Sequence, residues 1–129
     1  MTSIGGTHFI IDLYEINSEK LSSINENTYI NFDKYVKDAL NEAKINLLSQ
    51  VVHHFKGEYF GSFTSLYLLA ESHLSIHTWP EYRYIALDVF TCGKCNTKLI
   101  VDKIIEYFDA KKIIIKNITR GEYIEKIDI

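Results

Sequence analysis

The segment from about Ser62 to Cys92 leaves this chain the fewest options. It reads as SFTSLYLLA, SHLSIHTW and YRYIALDVFTC, three runs rich in β-branched and aromatic side chains, with a break at Trp79-Pro80-Glu81. Runs of this composition fit the pleated, half-buried surface of a sheet. Pro80 has no N–H to give to a ladder, so it belongs at a strand end or edge. Further strands are expected over residues 8–16 (HFIIDLYEI), 49–55 (SQVVHHF) and 111–118 (KKIIIKNI), with Gly57 and Gly61 marking a turn or loop. The stretch FDKYVKDALNEAKINLL places Phe32, Val36, Ala39, Leu40, Ala43 and Leu47 at helical spacing, opposite Lys34, Asp38, Glu42 and Lys44. That is the signature of an amphipathic helix. A second helix is expected over 96–109, where Ile100, Val101, Ile104, Ile105 and Phe108 share a face. The polar stretch NSEKLSSINENTYIN between the first strand and first helix reads as a loop with room for a helical turn. The fold class is α+β: an antiparallel-dominated β-sheet with two helices on one face. The other face keeps apolar residues with nothing to cover them, so a dimer is expected on that ground alone.

The chain's 129 residues make one domain, 1–129, large enough for a core and too small for two. Its 14 basic and 17 acidic residues are not blocked by sign, which speaks against a nucleic-acid partner. No apolar run has the length to cross a bilayer. The start, MTSIGGTHFIIDLYEI, lacks a basic leader, and Asp12 and Glu15 interrupt its apolar stretch, so it reads as a strand and not a signal peptide. A cytoplasmic location, with both cysteines as thiols, is the expectation.

Chemistry concentrates in residues 70–93, AESHLSIHTWPEYRYIALDVFTCG. Ser72 lies between Glu71 and His73 and so lacks the G-x-S-x-G setting of a nucleophile elbow. Cys92 and Cys95 form a C-x-x-C, but a structural zinc site takes four ligands and the chain has two cysteines. His53 and His54 could complete such a set, yet nothing in their spacing requires it, and no metal is expected. Taken alone, Ser72, His77 and Cys92 would be an ordinary strand serine, a core or surface histidine and a small buried hydrophobe. Trp79 and the nine tyrosines would be core or interface residues.

Read together, Glu71-Ser72-His73, Ile76-His77-Thr78-Trp79-Pro80-Glu81 and Phe90-Thr91-Cys92-Gly93 closely resemble the core motif of the prokaryotic S-adenosylmethionine decarboxylases. Looser likeness extends through Gly6-Thr7-His8, Asp12-Leu13 and Arg120-Gly121, so the resemblance covers nearly the whole chain. It implies a proenzyme that cuts itself between Glu71 and Ser72 into a β chain, 1–71, and an α chain, 72–129. In that family the serine hydroxyl attacks the preceding carbonyl to give an ester. Loss of the serine α-proton then expels the upstream chain, and hydrolysis leaves a pyruvoyl group with release of ammonia. On this resemblance Ser72 is the pyruvoyl precursor that forms a Schiff base with substrate, and His77 is the processing base. Cys92 is the general acid that reprotonates the substrate carbon, and Thr64 assists the acyl shift. The pyruvoyl carbonyl does the electron-sink work that pyridoxal phosphate does elsewhere, so neither pyridoxal phosphate nor a metal is expected.

The resemblance also implies S-adenosylmethionine as substrate, with decarboxylated product serving as aminopropyl donor for spermidine. Trp79 and Phe55 are expected near adenine and the sulfonium, and Glu81 near the ribose hydroxyls. His73 is read as structural or as a support behind the residues that touch substrate, Cys95 as incidental, though a disulfide between Cys95 and Cys92 would silence the enzyme. A homodimer with sheets face to face, an αββα sandwich with active sites at the interface, completes the picture. Two departures from the family pattern bear on the substrate: the loop 53–64 is longer and lacks proline, and Arg83 stands where a small residue is usual. Arginine or ornithine therefore remains an alternative substrate, with Glu58 or Glu81 to hold the distal cation. A non-catalytic homologue that regulates a partner is the reading from another class. Strand alternation sets a further question, because it puts Ser72 and His77 on opposite faces.

Overall fold

The computed structural model describes residues 5–57 and 61–127. Along the chain come β1 (Gly6–Tyr14), α1 (Ser18–Ser22), α2 (Tyr29–Glu42), β2 (Leu47–His54), β3 (Phe63–Leu69), β4 (Ser72–Trp79), a 3-10 turn (Pro80–Tyr82), β5 (Tyr84–Cys92), α3 (Thr97–Phe108) and β6 (Lys112–Arg120). The strands form one six-stranded sheet in the order β2-β3-β4-β5-β1-β6, every neighbour antiparallel. Both long helices pack on one face, as the α+β reading requires. The short α1 occupies the stretch read as a loop, and Asn17 caps it by accepting N–H bonds from Glu19 and Lys20.

The first long helix ends earlier than its apolar spacing suggests. It stops at Glu42, and Lys44 turns into the left-handed region at φ 59. The N–H of Ile45 reaches the carbonyl of Leu40 and that of Lys44 reaches Asn41, the paired bonds of a Schellman cap. Such a cap usually announces itself with glycine. Here a lysine takes the position, and buried Ile45 supplies the apolar contact, so the sequence carries no visible stop. Leu47 and Leu48, read as the helix's last residues, instead begin β2.

Alternation along the strands sorts side chains between two faces. Phe63, Tyr67, Leu69, Leu74, Ile76, Ile85, Leu87 and Val89 point into the core beneath the helices, with Phe32, Val36 and Leu40 of α2 and Ile100, Val101, Ile104 and Phe108 of α3. A polar network is set within that layer. Asp33 of α2 accepts from the Tyr67 hydroxyl (2.8 Å) and the Gln50 amide (2.6 Å), and pairs with Lys37 at 2.7 Å. The Tyr29 hydroxyl joins it through Ser65 (2.6 Å) and Tyr67 (3.2 Å). Burial works to raise the Asp33 pKa, but the bonds from Lys37, Tyr67 and Gln50 outweigh it and hold the carboxyl below its ordinary value.

Among the described residues no helix lies over the opposite face. Val51, Leu66 and Leu68 are exposed there at 61%, 44% and 54%, and Ile10, Ile114 and Ile118 continue the apolar surface across β1 and β6.

Asp33→Ala takes the charged acceptor from Tyr67, Gln50 and Lys37, leaving the first two only the Tyr29 hydroxyl, and should lower the unfolding free energy by about 2 kcal/mol. Lys34→Ala removes only an exposed pair with Asp38 and should change it by less than ~0.5 kcal/mol. Urea denaturation of both variants, each carrying Ser72→Ala as well, checks the contrast.

Candidate active site

The segment that bears the chemistry is a hairpin with a two-residue tip. Leu69 pairs with Ser72, so Ala70 and Glu71 make the whole connection between β3 and β4. Asn46, just before β2, clamps this tip. Its carbonyl accepts the Ala70 N–H at 2.9 Å, while its own N–H and side-chain amide each reach a Glu71 carboxylate oxygen at 3.1 Å. The Glu71–Ser72 bond is thereby held in a defined orientation at one end of the sheet.

Ser72 opens β4, its Oγ 3.3 Å from Nδ1 of His73. His73 stands on the helix-free face, and its Nε2 lies 3.1 Å from Oδ2 of Asp88. The same oxygen receives Nε2 of His8 at 2.8 Å, and the Ser75 hydroxyl donates to the other oxygen. Arg120 closes the chain of contacts at 3.3 Å from Nδ1 of His8, its guanidinium over the Phe90 ring. Burial works to raise the Asp88 pKa, yet the bonds from Ser75, His8 and His73, with the charge of His73, hold it below its ordinary value.

The ligating atoms of His8, His73 and Asp88 lie within 4.8 Å of one another, close enough for a metal. The hydrogen bonds use those atoms differently. A guanidinium has no acceptor, so Nδ1 of His8 must accept and its Nε2 carries the proton toward Asp88. The His53 and His54 considered for a zinc set end β2 at the opposite end of the sheet from Cys92 and Cys95.

Cys92 ends β5 opposite Gly6, its Sγ 3.3 Å from that of Cys95. A cavity of about 470 Å³ here is lined by Glu71, Cys92, Lys94 and Cys95, so the thiols and the hairpin tip share one space. Burial first, then the Cys92 thiol and the Glu71 charge, push the Cys95 pKa up to about 11.

A second group gathers at the other end. Thr64 and His77 are partners across β3 and β4, and Oγ1 of Thr64 is 3.1 Å from Nδ1 of His77. Trp79 follows, 38% exposed and stacked on Tyr84 at 5.4 Å, which stacks in turn on Tyr14 at 5.2 Å. Glu81 is exposed on the 3-10 turn. Phe55, just past β2, is half-exposed beside a cavity of about 360 Å³ with Asn25, His54 and Gly61. Thr78 of the motif points inward. It donates to the Gly61 carbonyl at 2.6 Å and accepts the Phe63 N–H at 2.9 Å, bracing this end. Arg83 turns its guanidinium onto the carbonyls of Ile16 and Glu15. Glu58 lies outside the described residues.

The expected residues thus fall into two groups: Glu71, Ser72 and Cys92 at one end, Phe55, Thr64, His77, Trp79 and Glu81 at the other. Five steps of extended strand, about 17 Å, separate Ser72 from His77. A groove of about 550 Å³ runs between, lined by Val51, Leu66, Leu68, His73, His77 and Asp88. Sequence reasoning had no role for Asn46, Ser75 or Asp88 and treated His73 as structural. Only strand register shows that His8, His73 and Asp88 converge.

The model of one protein family, S-adenosylmethionine decarboxylase, matches residues 7–121. An S-adenosylmethionine decarboxylase proenzyme of Thermodesulfovibrio yellowstonii is 38% identical over 117 residues, 90% of this chain and 81% of its own. Proenzymes of the same name from Clostridium botulinum (strain Langeland) and Methanococcus aeolicus are 36% and 33% identical, over 91% and 93% of this chain and 95% and 97% of theirs. The crystal structure of adenosylmethionine decarboxylase from Aquifex aeolicus superposes with a TM-score of 0.77 at 28% identity, covering both chains fully.

The carboxyl of Asp88 should titrate below 3.8, the ordinary value, when followed by carbon-13 NMR. Because its pKa is lowered by folding, its contribution to stability is complete above the unfolded-state pKa and disappears as pH falls through the folded one. The stability gap between wild type and Asp88→Asn should therefore be full at pH 7 and close in acid. A midpoint at or above 3.8 would contradict the three-donor arrangement.

Proposed function

Because the chain belongs to the S-adenosylmethionine decarboxylase family, we propose that it cuts itself between Glu71 and Ser72 and then decarboxylates S-adenosylmethionine to the aminopropyl donor of spermidine synthesis. The observation that carries this reading is the hairpin tip: a serine hydroxyl against an imidazole, next to a glutamate whose carboxylate is tied down by Asn46. The chemistry also fits the topology. A break at the tip leaves the ladders of β3 and β4 intact. Fragment 1–71 would carry β1, β2 and β3, and fragment 72–129 would carry β4, β5 and β6. Since β1 lies between β5 and β6, the two fragments are interleaved and cannot drift apart.

Ser72 suits a pyruvoyl group because it begins a strand and loses only a terminal N–H from the ladder. That group supplies an electron sink for the leaving carboxylate. Cys92, in the cavity shared with Glu71, holds the proton on Sγ that returns to the substrate carbon. Trp79, with Tyr84 and Tyr14 stacked behind it, offers an aromatic surface suited to adenine and a sulfonium. Glu81 and Phe55 flank it at the same end. The relatives' shared name favours S-adenosylmethionine over arginine or ornithine, and the complete set of Ser72, His77 and Cys92 disfavours a purely regulatory role.

Thr64 and His77 are the processing pair in this reading, yet they stand about 17 Å along the strand from the Ser72 of their own chain. A second chain resolves this. A two-fold axis through the bare apolar face would lay two sheets together as an αββα sandwich and bring the Ser72 end of one protomer against the His77 end of the other. The same contact would cover Val51, Leu66 and Leu68. Each site of the homodimer then takes Ser72 and Cys92 from one chain and Thr64, His77 and the aromatic surface from its neighbour. Among the described residues no helix is long and apolar enough to cross a membrane, and the reading is of an enzyme working in the cytoplasm.

Denaturing mass spectrometry should find two fragments that part after Glu71, the smaller beginning with a ketone, and a single chain for Ser72→Ala. Cys92→Ala should still cut but lose about 10²–10⁴-fold in turnover. Neither Ser72→Ala nor His77→Ala should cut alone. Unfolded together and refolded as mixed dimers, they should regain cleavage in the His77→Ala chain only. No cleavage in the mixture, with both chains folded and dimeric, would mean that the site is not shared.

A further inference from the structure

We propose that His73, held by Asp88, is the base that starts self-cleavage by taking the proton from the Ser72 hydroxyl. This rests on the processing reading above and divides its proton transfers between two histidines: His73 within the chain for the acyl shift, His77 for the elimination that follows.

The hydrogen bonds fix the direction of proton movement. Asp88 can only accept, so the His73 nitrogen 3.1 Å from it, Nε2, carries a proton. In the neutral ring the other nitrogen, Nδ1, then bears the lone pair, and it faces Ser72 Oγ at 3.3 Å. Serine, imidazole and carboxylate therefore stand in line, with the carboxylate braced by the Ser75 hydroxyl and by His8. His8 is itself committed: Arg120 donates to its Nδ1, which leaves its Nε2–H for Asp88. None of this resembles a histidine buried for packing, since both of its nitrogens are assigned. Within one chain it is also the imidazole in contact with the nucleophile, whereas His77 is half a strand away and bonded to Thr64.

The step balances without any other reactant. The Ser72 Oγ–H proton passes to Nδ1 of His73 as Oγ bonds to the carbonyl carbon of Glu71. The imidazolium, steadied by the ionised Asp88, returns that proton to the Ser72 amide nitrogen as the carbon–nitrogen bond breaks. An ester replaces the peptide bond, and the nitrogen is left as an amine. Asn46 keeps the Glu71 side of the bond in place meanwhile. His73 is a catalytic residue by this account, because it touches a reacting atom. Asp88 is a positioning residue.

The test stops processing at the ester. His77→Ala should block elimination, so its chain stays uncut but breaks at 71–72 when treated with hydroxylamine, which cleaves esters and leaves amides. Adding His73→Ala should slow the appearance of hydroxylamine-sensitive chain by at least about 100-fold, and free imidazole should restore part of it. His73→Gln keeps a donor toward Asp88 but has no basic atom. It serves if the alanine variant does not fold, and it should lose the ester equally. Asp88→Asn should slow ester formation, with Asp88→Glu recovering part of the rate, a rescue that a merely structural side chain would not depend on. Ester forming at the His77→Ala rate in folded His73→Ala or His73→Gln would overturn the proposal while leaving the pyruvoyl reading intact. A wild-type chain that neither cuts nor forms an ester would overturn both.

Discussion

Backbone pairing among β3, β4 and β5 is the constraint on which the rest depends. Once Thr64 is opposite His77, and His73 opposite Phe90, every side chain between them is assigned to a face. Leu74, Ile76 and Thr78 go inward under the helices, while His73, Ser75 and His77 go to the bare side. A one-residue slip would exchange the two sets, burying imidazoles and exposing the core. The aliphatic layer under α2 and α3 therefore secures the chemistry indirectly. The free energy that holds Ile76 and Leu87 inward also holds His77 and Asp88 outward.

The bare face is not simply apolar. Polar groups gather on it in two clusters, with Val51, Leu66 and Leu68 of β2 and β3 exposed beside them. At one end Asp88 gathers Ser75, His8 and His73; at the other Thr64 holds His77 and Tyr84 donates to Asp12. Such prepaired groups would lower the cost of covering this face with a second sheet. Neither end holds all of Ser72, His77 and Cys92, so the proposed assembly and the proposed activity would share this one surface.

The same economy appears at the hairpin tip. A two-residue connection leaves little freedom to the bond between Glu71 and Ser72, and Asn46 removes more. Reacting groups held in one orientation need less ordering on the way to the transition state. Interleaving of β1 between β5 and β6 would let the chain be broken there, as proposed, without dismantling the sheet.

Much of this was legible without coordinates. Composition and alternation in 62–92 announced a sheet, apolar spacing announced two helices, and the run from Glu71 to Gly93 pointed to one family and one bond. The end of α2 was not legible, because Lys44 takes a left-handed position that glycine usually marks. Nor was the relation of Ser72 to His77. Spacing in the sequence makes them near neighbours, whereas an extended strand carries them to opposite ends of β4, since each residue advances the chain by about 3.4 Å. Contacts between residues far apart in the chain were equally beyond reach: His8 with Asp88, and Asn46 with Glu71, depend on which strands lie side by side. The residues that can do chemistry were determined by the sequence itself, because reactivity belongs to side-chain type. Which of them stand within a proton's reach of one another was decided by the tertiary structure alone, because hydrogen bonds act over about 3 Å and only strand register sets distances that short.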